Sequence, residues 1–140
     1  MRIAFLSVSD QLGGSEIALL EVLRGVRARH APWRLDLILP GGGPLHARAT
    51  ALGVACTVVE LPTPLARVGE SVAMRRRWSL GATMALGARL CAGAVAWPAY
   101  ESHLRRALHS LSPDVLHTNG LKAHVAGARA ARSPRCPAGS

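Results

Sequence analysis

The spacing of apolar residues along this chain switches between the alternation typical of strands and the three- to four-residue spacing typical of helices. These switches predict the order of its elements. Apolar, partly alternating runs predict strands at Ile3–Val8, Trp33–Leu39, Val54–Leu61 and Pro113–Thr118. Apolar spacings typical of helices predict one that leaves Gly13–Glu16 and frays near Arg29, and others at Leu45–Leu52, Leu80–Trp97, Tyr100–Leu111 and Leu121–Arg132. The opening β-α-β-α-β order predicts an α/β fold, with a Rossmann-like open parallel sheet and helices on both faces.

The Ala/Gly/Leu-rich stretch Leu80–Trp97 carries one charge, Arg89. A membrane span needs about 20 apolar residues, and a central arginine costs about 2.5–3.5 kcal/mol on insertion. We therefore expect a helix packed on the sheet or lying on a bilayer surface, which Pro98 ends or kinks. Just before it, Arg75, Arg76 and Arg77 form either a contact for acidic lipid or a solvated loop.

Length and charge narrow the class of protein. The 140 residues predict one domain at 1–132, followed by a disordered tail at 133–140. A net charge of +9, carried by arginines and the single lysine Lys122, favours anionic partners. Nucleic acid is disfavoured, because the few aromatic residues form no evident stacking platform.

The cysteines and the N-terminus bear on the compartment. Cys56, Cys91 and Cys136 are far apart and contain no C-x-x-C pair, so they predict neither a zinc site nor a disulfide framework. The apolar run after Met1 is too short for a signal peptide. We expect reduced thiols and a cytoplasmic protein, with peripheral contact at the inner face of the membrane as an option.

The turn Gly13-Gly14-Ser15-Glu16 is the first candidate site. It joins a strand to a helix and offers bare backbone N–H groups and a helix N-terminus to an anion. It has neither the G-x-G-x-x-G spacing of dinucleotide sites nor a Walker A lysine, which disfavours a dinucleotide oxidoreductase. The alternative is a plain connection in which glycine is needed for positive φ.

Two further features of these first loops have two interpretations each. Asp10 and Glu16 are candidates for acid–base or hydroxyl-orienting roles, but Glu16 is equally typical of a first-turn carboxylate that stabilises a helix. The glycines of Pro40–Gly43 either approach a ligand or form a flexible connector.

The stretch from His117 to His124 is the second candidate site. It places His117 at a predicted strand end, where parallel sheets bind ligands, and Asn119 and Gly120 directly after it. With Lys122 and His124 at the start of the next helix, it predicts a cluster that binds phosphate or hydroxyl groups. Alternatively, Lys122 and His124 are solvated and Asn119 only caps the helix. No Ser-His-Asp or metal-binding arrangement follows from the spacing.

Three features together resemble the N-terminal half of a family 4 glycosyltransferase of the GT-B fold. They are Arg2–Phe5 leading to Gly13–Glu16, the connection Pro40–Gly43, and Pro113–His117 followed by Thr118–His124. The resemblance covers nearly the whole chain and is weakest between Leu61 and Trp97.

The resemblance implies an enzyme with two Rossmann-like domains facing a cleft. The N-terminal one receives a sugar or lipid-linked acceptor, and the C-terminal one binds the nucleotide sugar. It further implies retaining hexosyl transfer without a metal or cofactor, with His117 as the catalytic candidate at the reaction centre. The substrate- and donor-phosphate-binding set that we predict is Gly13, Gly14, Glu16, Asn119, Gly120, Lys122 and His124.

The sequence ends at Ser140 without the second domain that this family has. We therefore expect the isolated chain to have little or no transferase activity. The alternative function is a non-catalytic Rossmann-like binding module, associated with a membrane surface through Arg75–Arg77 and the helix Leu80–Trp97.

Overall fold

The computed structural model describes residues 1–63 and 80–131, with only the backbone described over 80–94. The strands are β1 (Arg2–Ser7), β2 (Arg34–Leu39), β3 (Ala55–Val58) and β4 (Val115–Asn119). The helices are α1 (Gly14–Arg29), α2 (Pro44–Ala51), α3 (Leu80–Leu111) and α4 (Leu121–Ala131). The arginines at 75–77, the domain end at residue 132 and the tail at 133–140 lie outside the described residues.

The strands form one parallel sheet in the order β3-β2-β1-β4. Phe5 in β1 lies between Leu37 of β2 and His117 of β4. At the carboxyl edge, Ser7 is level with Asn119, so the chain leaves β1 and β4 side by side. The prediction of a Rossmann-like parallel sheet is confirmed.

Alternating strand residues divide the core into two faces. On the face that we call the α1 face, strand residues such as Phe5 and Leu37 pack against leucines of α1 and against α2; the buried helix residues are Leu19, Leu20, Leu23, Leu45 and Ala49. On the opposite face, called the α4 face, Leu6 and Ile38 pack against α3 and α4; the buried helix residues there are Tyr100, Leu104, Leu108, Ala123, Ala126 and Ala130. The predicted helices on both faces are confirmed.

The long helix α3 differs from its prediction. The sequence predicts two helices separated at Pro98, whereas α3 runs unbroken from Leu80 to Leu111 with Pro98 inside it. Proline removes one helical N–H and leaves one carbonyl of the preceding turn without its helical partner. Packing of Tyr100 and Leu104 into the core outweighs that local cost. Among the described helices, none combines the length and apolarity needed to cross a bilayer.

Local signals at α2 are confirmed. Pro44 occupies the first turn, and Gly53, just beyond the cap residue Leu52, has a φ of +72°. Strand β3 is shorter than predicted and ends at Val58, although the Val59 N–H still donates to the Leu39 carbonyl at 2.9 Å.

At the amino edge of the sheet, charges are paired. The carboxylate of Asp36 is buried and lies 2.8 Å from Arg2 Nε and 3.7 Å from Arg34 Nε. The hydrogen bond to Asp36 raises the pKa of the Arg2 guanidinium. Asp114 closes the same edge, since its Oδ2 accepts from Arg2 N at 2.7 Å and its N–H donates to the Arg2 carbonyl at 2.9 Å.

Candidate functional site

The turn between β1 and α1 is ordered by short contacts. The buried hydroxyl of Ser7 donates to the Ser9 carbonyl at 3.0 Å and accepts from Ser9 N at 3.3 Å. Gly13 precedes α1 in an extended conformation, with φ of −105°, and Gly14 has no positive φ either. The interpretation that glycine is needed here for positive φ is therefore wrong.

Steric crowding explains the glycine at position 13 but not the one at position 14. A Cβ on Gly13 would lie 2.8 Å from Glu16 Oε2, so a larger residue there would disturb the carboxylate. A Cβ on Gly14 would meet no heavy atom within 4 Å. Gly14 therefore borders open space at the N-terminus of α1, where a ligand can reach the backbone.

Glu16 is part of the helix start. Its Oε2 accepts from the Gly13 N–H at 3.1 Å and its Oε1 from the Ser15 hydroxyl at 2.8 Å, and only 8% of the residue is exposed. This geometry supports the interpretation of Glu16 as a capping carboxylate. Because its negative charge lies at the N-terminus of α1, it weakens the attraction of that terminus for an anion.

The second loop packs around Asp10 of the first. The Asp10 carbonyl accepts from Leu45 N at 3.0 Å, and its carboxylate accepts from Gln11 Nε2 at 2.9 Å. A Cβ on Gly41 or on Gly43 would come within 2.6 Å of an Asp10 oxygen. These glycines make room for Asp10, so the interpretation of a flexible connector is replaced by close packing of two loops.

The end of β4 reaches the start of α1. Asn119 Nδ2 donates to the Ser15 carbonyl at 3.4 Å, which ties the third loop to the glycine turn. Gly120, which has a φ of +92°, stands between Asn119 and Leu121, the first residue of α4. The predicted Gly13–Glu16 and Asn119 sites thus lie together at one edge.

His117 is placed differently from its prediction. Strand β4 extends to Asn119, so His117 is the middle residue of the strand rather than its end. Its exposed ring lies on the α1 face, 5.3 Å from the ring of Phe5 between centroids. It is two residues below Asn119 on the same face, which corresponds to about 7 Å along a strand.

The basic cluster predicted around His117 is divided by the sheet. His124 Nδ1 is 3.2 Å from the hydroxyl of Thr118, whose methyl group points to Gly127 on the α4 face. Because neighbouring strand residues point to opposite faces, His117 and His124 lie on different sides of the sheet. Lys122 is partly buried and also belongs to the α4 side.

A cavity on the α4 face was not predicted from the sequence. It has a volume of about 250 Å³, and its lining residues are Val8, Leu61, Trp97, Tyr100, Leu121, Lys122, Val125 and Ala126. Burial raises the pKa of Tyr100 to about 12, as expected for a hydroxyl in dry surroundings. The sequence did contain a sign of this cavity. Val8, Leu61 and Leu121 are apolar residues that follow β1, β3 and β4, and the carboxyl ends of parallel strands meet at one edge of a sheet.

The remaining candidate chemistry concerns metal ligands and thiols. Within the described ranges, no group of three His, Cys, Asp or Glu residues is arranged to hold a metal ion. Cys56 is a free thiol, and its partial burial raises its pKa.

Comparisons with known proteins bear on the fold. No family model and no curated protein sequence matches the chain. Solved structures of Anabaena Alr3699/HepE, in complex with UDP and glucose and with UDP-glucose, match with a TM-score of 0.56 at 21% and 20% identity. The match covers 94% of this chain and 26–27% of those chains, so this chain spans about a quarter of their length. The chain therefore has a Rossmann-like α/β fold similar to part of a protein that binds UDP and UDP-glucose.

Proposed function

We propose that this chain is the N-terminal, acceptor-side domain of a retaining, nucleotide-sugar-dependent hexosyltransferase of the GT-B, family 4 type. The observation that carries the proposal is the carboxyl edge of β1 and β4. There Gly14 borders open space at a helix N-terminus, and Asn119 is bonded to the same turn. The fold likeness to a protein that binds UDP-glucose supports a nucleotide-sugar donor.

In this proposal the α1 face forms one wall of a cleft. The bare backbone at Gly14 lets the donor diphosphate come close, while the nearby Glu16 carboxylate keeps this turn from binding the anion strongly alone. The exposed His117 lines the acceptor side. Transfer forms a bond from the acceptor oxygen to the anomeric carbon, breaks that carbon's bond to the donor phosphate, and passes the hydroxyl proton to the departing nucleoside diphosphate. In this proposal no cofactor takes part, and the nucleotide sugar is the co-substrate.

The donor-binding half belongs to a second domain. Since this chain spans about a quarter of the matched structures, we propose that it is inactive alone and gains activity when a donor-binding domain is supplied. A cytoplasmic location fits the free thiol of Cys56.

The test joins the chain to a donor-binding Rossmann-like domain and measures release of nucleoside diphosphate and sugar transfer. Gly14→Trp fills the open space at the turn and is expected to lower kcat/KM by about 100-fold or more. The matched control is Gly14→Ala, whose methyl group meets nothing within 4 Å and which is expected to stay within about twofold of the parent.

Several outcomes contradict the proposal. Full turnover by Gly14→Trp would show that the turn is not part of the donor site. Full turnover by His117→Ala would show that His117 is not part of the reaction centre. Absence of transfer from every nucleotide sugar, with the joined protein folded by circular dichroism and thermal melting, overturns the transferase assignment itself.

A further inference from the structure

Strand β3 is an outer strand of the sheet, and β2 is its one partner among the described strands. The Val59 N–H donates to the Leu39 carbonyl of β2. Because backbone groups alternate along a strand, the N–H and carbonyl groups of Cys56 and Val58 point away from β2. The outer side of β3 therefore presents two donors and two acceptors to a further strand.

The residues of β3 permit such pairing. Ala55–Val58 contains no charged residue and no proline, two of the features that keep outer strands from pairing with other chains. Val58 is apolar and 48% exposed. Thr57 is half-buried on the α4 face, and threonines that lie directly opposite each other on adjacent strands stabilise a sheet. The outer side of β3 is thus suited to a strand of its own sequence.

An open groove, which we call the β3 groove, lies between β3 and helix α3. Its volume is about 610 Å³, and its polar lining residues are Thr57, Glu60, His103, Arg106 and Ser110. Glu60 and Arg106 are both exposed, and neither belongs to an ion pair of the described residues. The Arg106 guanidinium lies 3.5 Å from the Ser102 hydroxyl, a long hydrogen bond. The groove therefore carries one negative and one positive side chain that can pair with a partner.

The two charges lie at different positions along the groove. Glu60 follows the carboxyl end of β3. Helix α3 runs in the opposite direction, because it ends shortly before Asp114, which bonds to Arg2 at the amino edge. From Glu60 the groove therefore extends past Arg106 to Ser110, towards the amino edge. A second β3 that lies antiparallel beside the first brings its Glu60 towards Arg106 of the first copy, and symmetry repeats the contact.

We propose that two copies of this chain associate by antiparallel pairing of their β3 strands, which joins the two four-stranded sheets into one. The two-fold axis passes at Thr57, so Cys56 of each copy lies opposite Val58 of the other and exchanges backbone hydrogen bonds with it. Glu60 of each copy pairs with Arg106 of the other. Strand β2 separates β3 from β1 and β4, so this dimer leaves the proposed transfer site open and does not depend on that function.

The direct test is sedimentation equilibrium of the whole chain from about 1 μM to about 1 mM. The mass is expected to rise with concentration from that of one chain to twice that value and to stop there, because the interface is used up in a dimer. A single-chain mass at every concentration, or growth beyond a dimer, overturns the inference.

Variants on the two outer strands locate the interface. Val58→Lys places a charge on β3 and is expected to raise the dimer Kd at least about tenfold. Val115→Lys on β4 is the matched control, since Val115 is 47% exposed and Val58 is 48% exposed, and it is expected to leave the Kd unchanged. Loss of the dimer in Val115→Lys, with Val58→Lys unaffected, places the interface on β4 and overturns the inference.

A charge exchange tests the antiparallel arrangement. Arg106→Glu and Glu60→Arg each place like charges together twice per dimer, and each is expected to raise the Kd about tenfold. The double variant restores opposite charges and is expected to return to within about threefold of the parent. If its loss is the sum of the two single losses, Glu60 and Arg106 do not meet across the interface and the inference is overturned.

Amide hydrogen exchange identifies the paired groups without any substitution. The N–H groups of Cys56 and Val58 are expected to exchange at least about tenfold more slowly at concentrations where the dimer forms. The Val59 N–H is the internal control, because it is bonded to β2 within one copy and should be protected at all concentrations. Equal exchange of Cys56 and Val58 in monomer and dimer shows that the copies meet elsewhere and overturns the inference.

Discussion

The two edges of the sheet differ in composition and in how their polar groups are bonded. At the amino edge, the buried carboxylate of Asp36 is paired with Arg2 and Arg34, and Asp114 bonds to the backbone of Arg2. At the carboxyl edge the loops contain glycines, and at Gly14 the backbone borders open space. One edge satisfies its polar groups internally, and the other leaves part of its backbone open to a partner.

This difference separates stability from recognition. Asp36 is buried while its two arginines are partly exposed, so removing an arginine would leave the buried carboxylate with one cation fewer, and removing Asp36 would cost its hydrogen bonds. The amino edge therefore has little freedom to change. The carboxyl edge is held together by tight loop packing around Asp10, and only Gly14 and Gly42 have free space where a side chain would start in these two loops. Substitutions at the two edges should therefore have different consequences.

The largest effect on stability is expected at the amino edge. Asp36→Ala removes the two hydrogen bonds that Arg2 donates to the buried carboxylate and leaves a void, and is expected to lower the free energy of unfolding by about 2–4 kcal/mol in urea titrations. Glu21→Ala, which breaks an exposed pair with Arg24, is the control and is expected to change it little. Equal effects of the two variants would contradict the structural role of the amino edge.

A smaller effect is expected at neighbouring glycines of the carboxyl edge. Gly43→Ala places a methyl group 2.6 Å from the Asp10 carbonyl oxygen and is expected to cost about 1–3 kcal/mol of unfolding free energy. Gly42→Ala meets nothing within 4 Å and is expected to change stability by less than about 0.5 kcal/mol. Thermal melting of both variants measures the difference, and similar melting temperatures would show that the loops are not tightly packed.

The smallest effect is expected at the helix start. Glu16→Ala leaves the Gly13 N–H without its acceptor and is expected to cost about 1 kcal/mol. Glu16→Gln keeps an acceptor oxygen and should cost less, while removing a negative charge beside the proposed donor site. Urea unfolding ranks the two variants, and a Gln variant as unstable as the Ala variant would show that charge, not hydrogen bonding, matters here.

The sequence patterns predicted much of the architecture and about half of the candidate site at the carboxyl edge of the sheet. The rule that ligand sites lie at the carboxyl ends of parallel strands correctly brought together Gly13–Glu16, which follows β1, and Asn119, which ends the adjacent strand β4. The same rule failed for His117 and His124. Strand β4 ends at Asn119, one residue beyond its predicted end, so His117 lies in the middle of the strand. Thr118, which contacts His124, points to the face of the sheet opposite to that of His117 because neighbouring strand residues alternate.

The sequence by itself determined the order of strands and helices, the parallel sheet and the start and end of α2. Those follow from local periodicity and from the fixed backbone preferences of Pro44 and Gly53. The tertiary structure alone decided that α3 continues through Pro98, that Asp36 is paired with Arg2, and that an apolar cavity forms behind Leu121. Each of these depends on packing between segments far apart in the chain, where burial outweighs local preference.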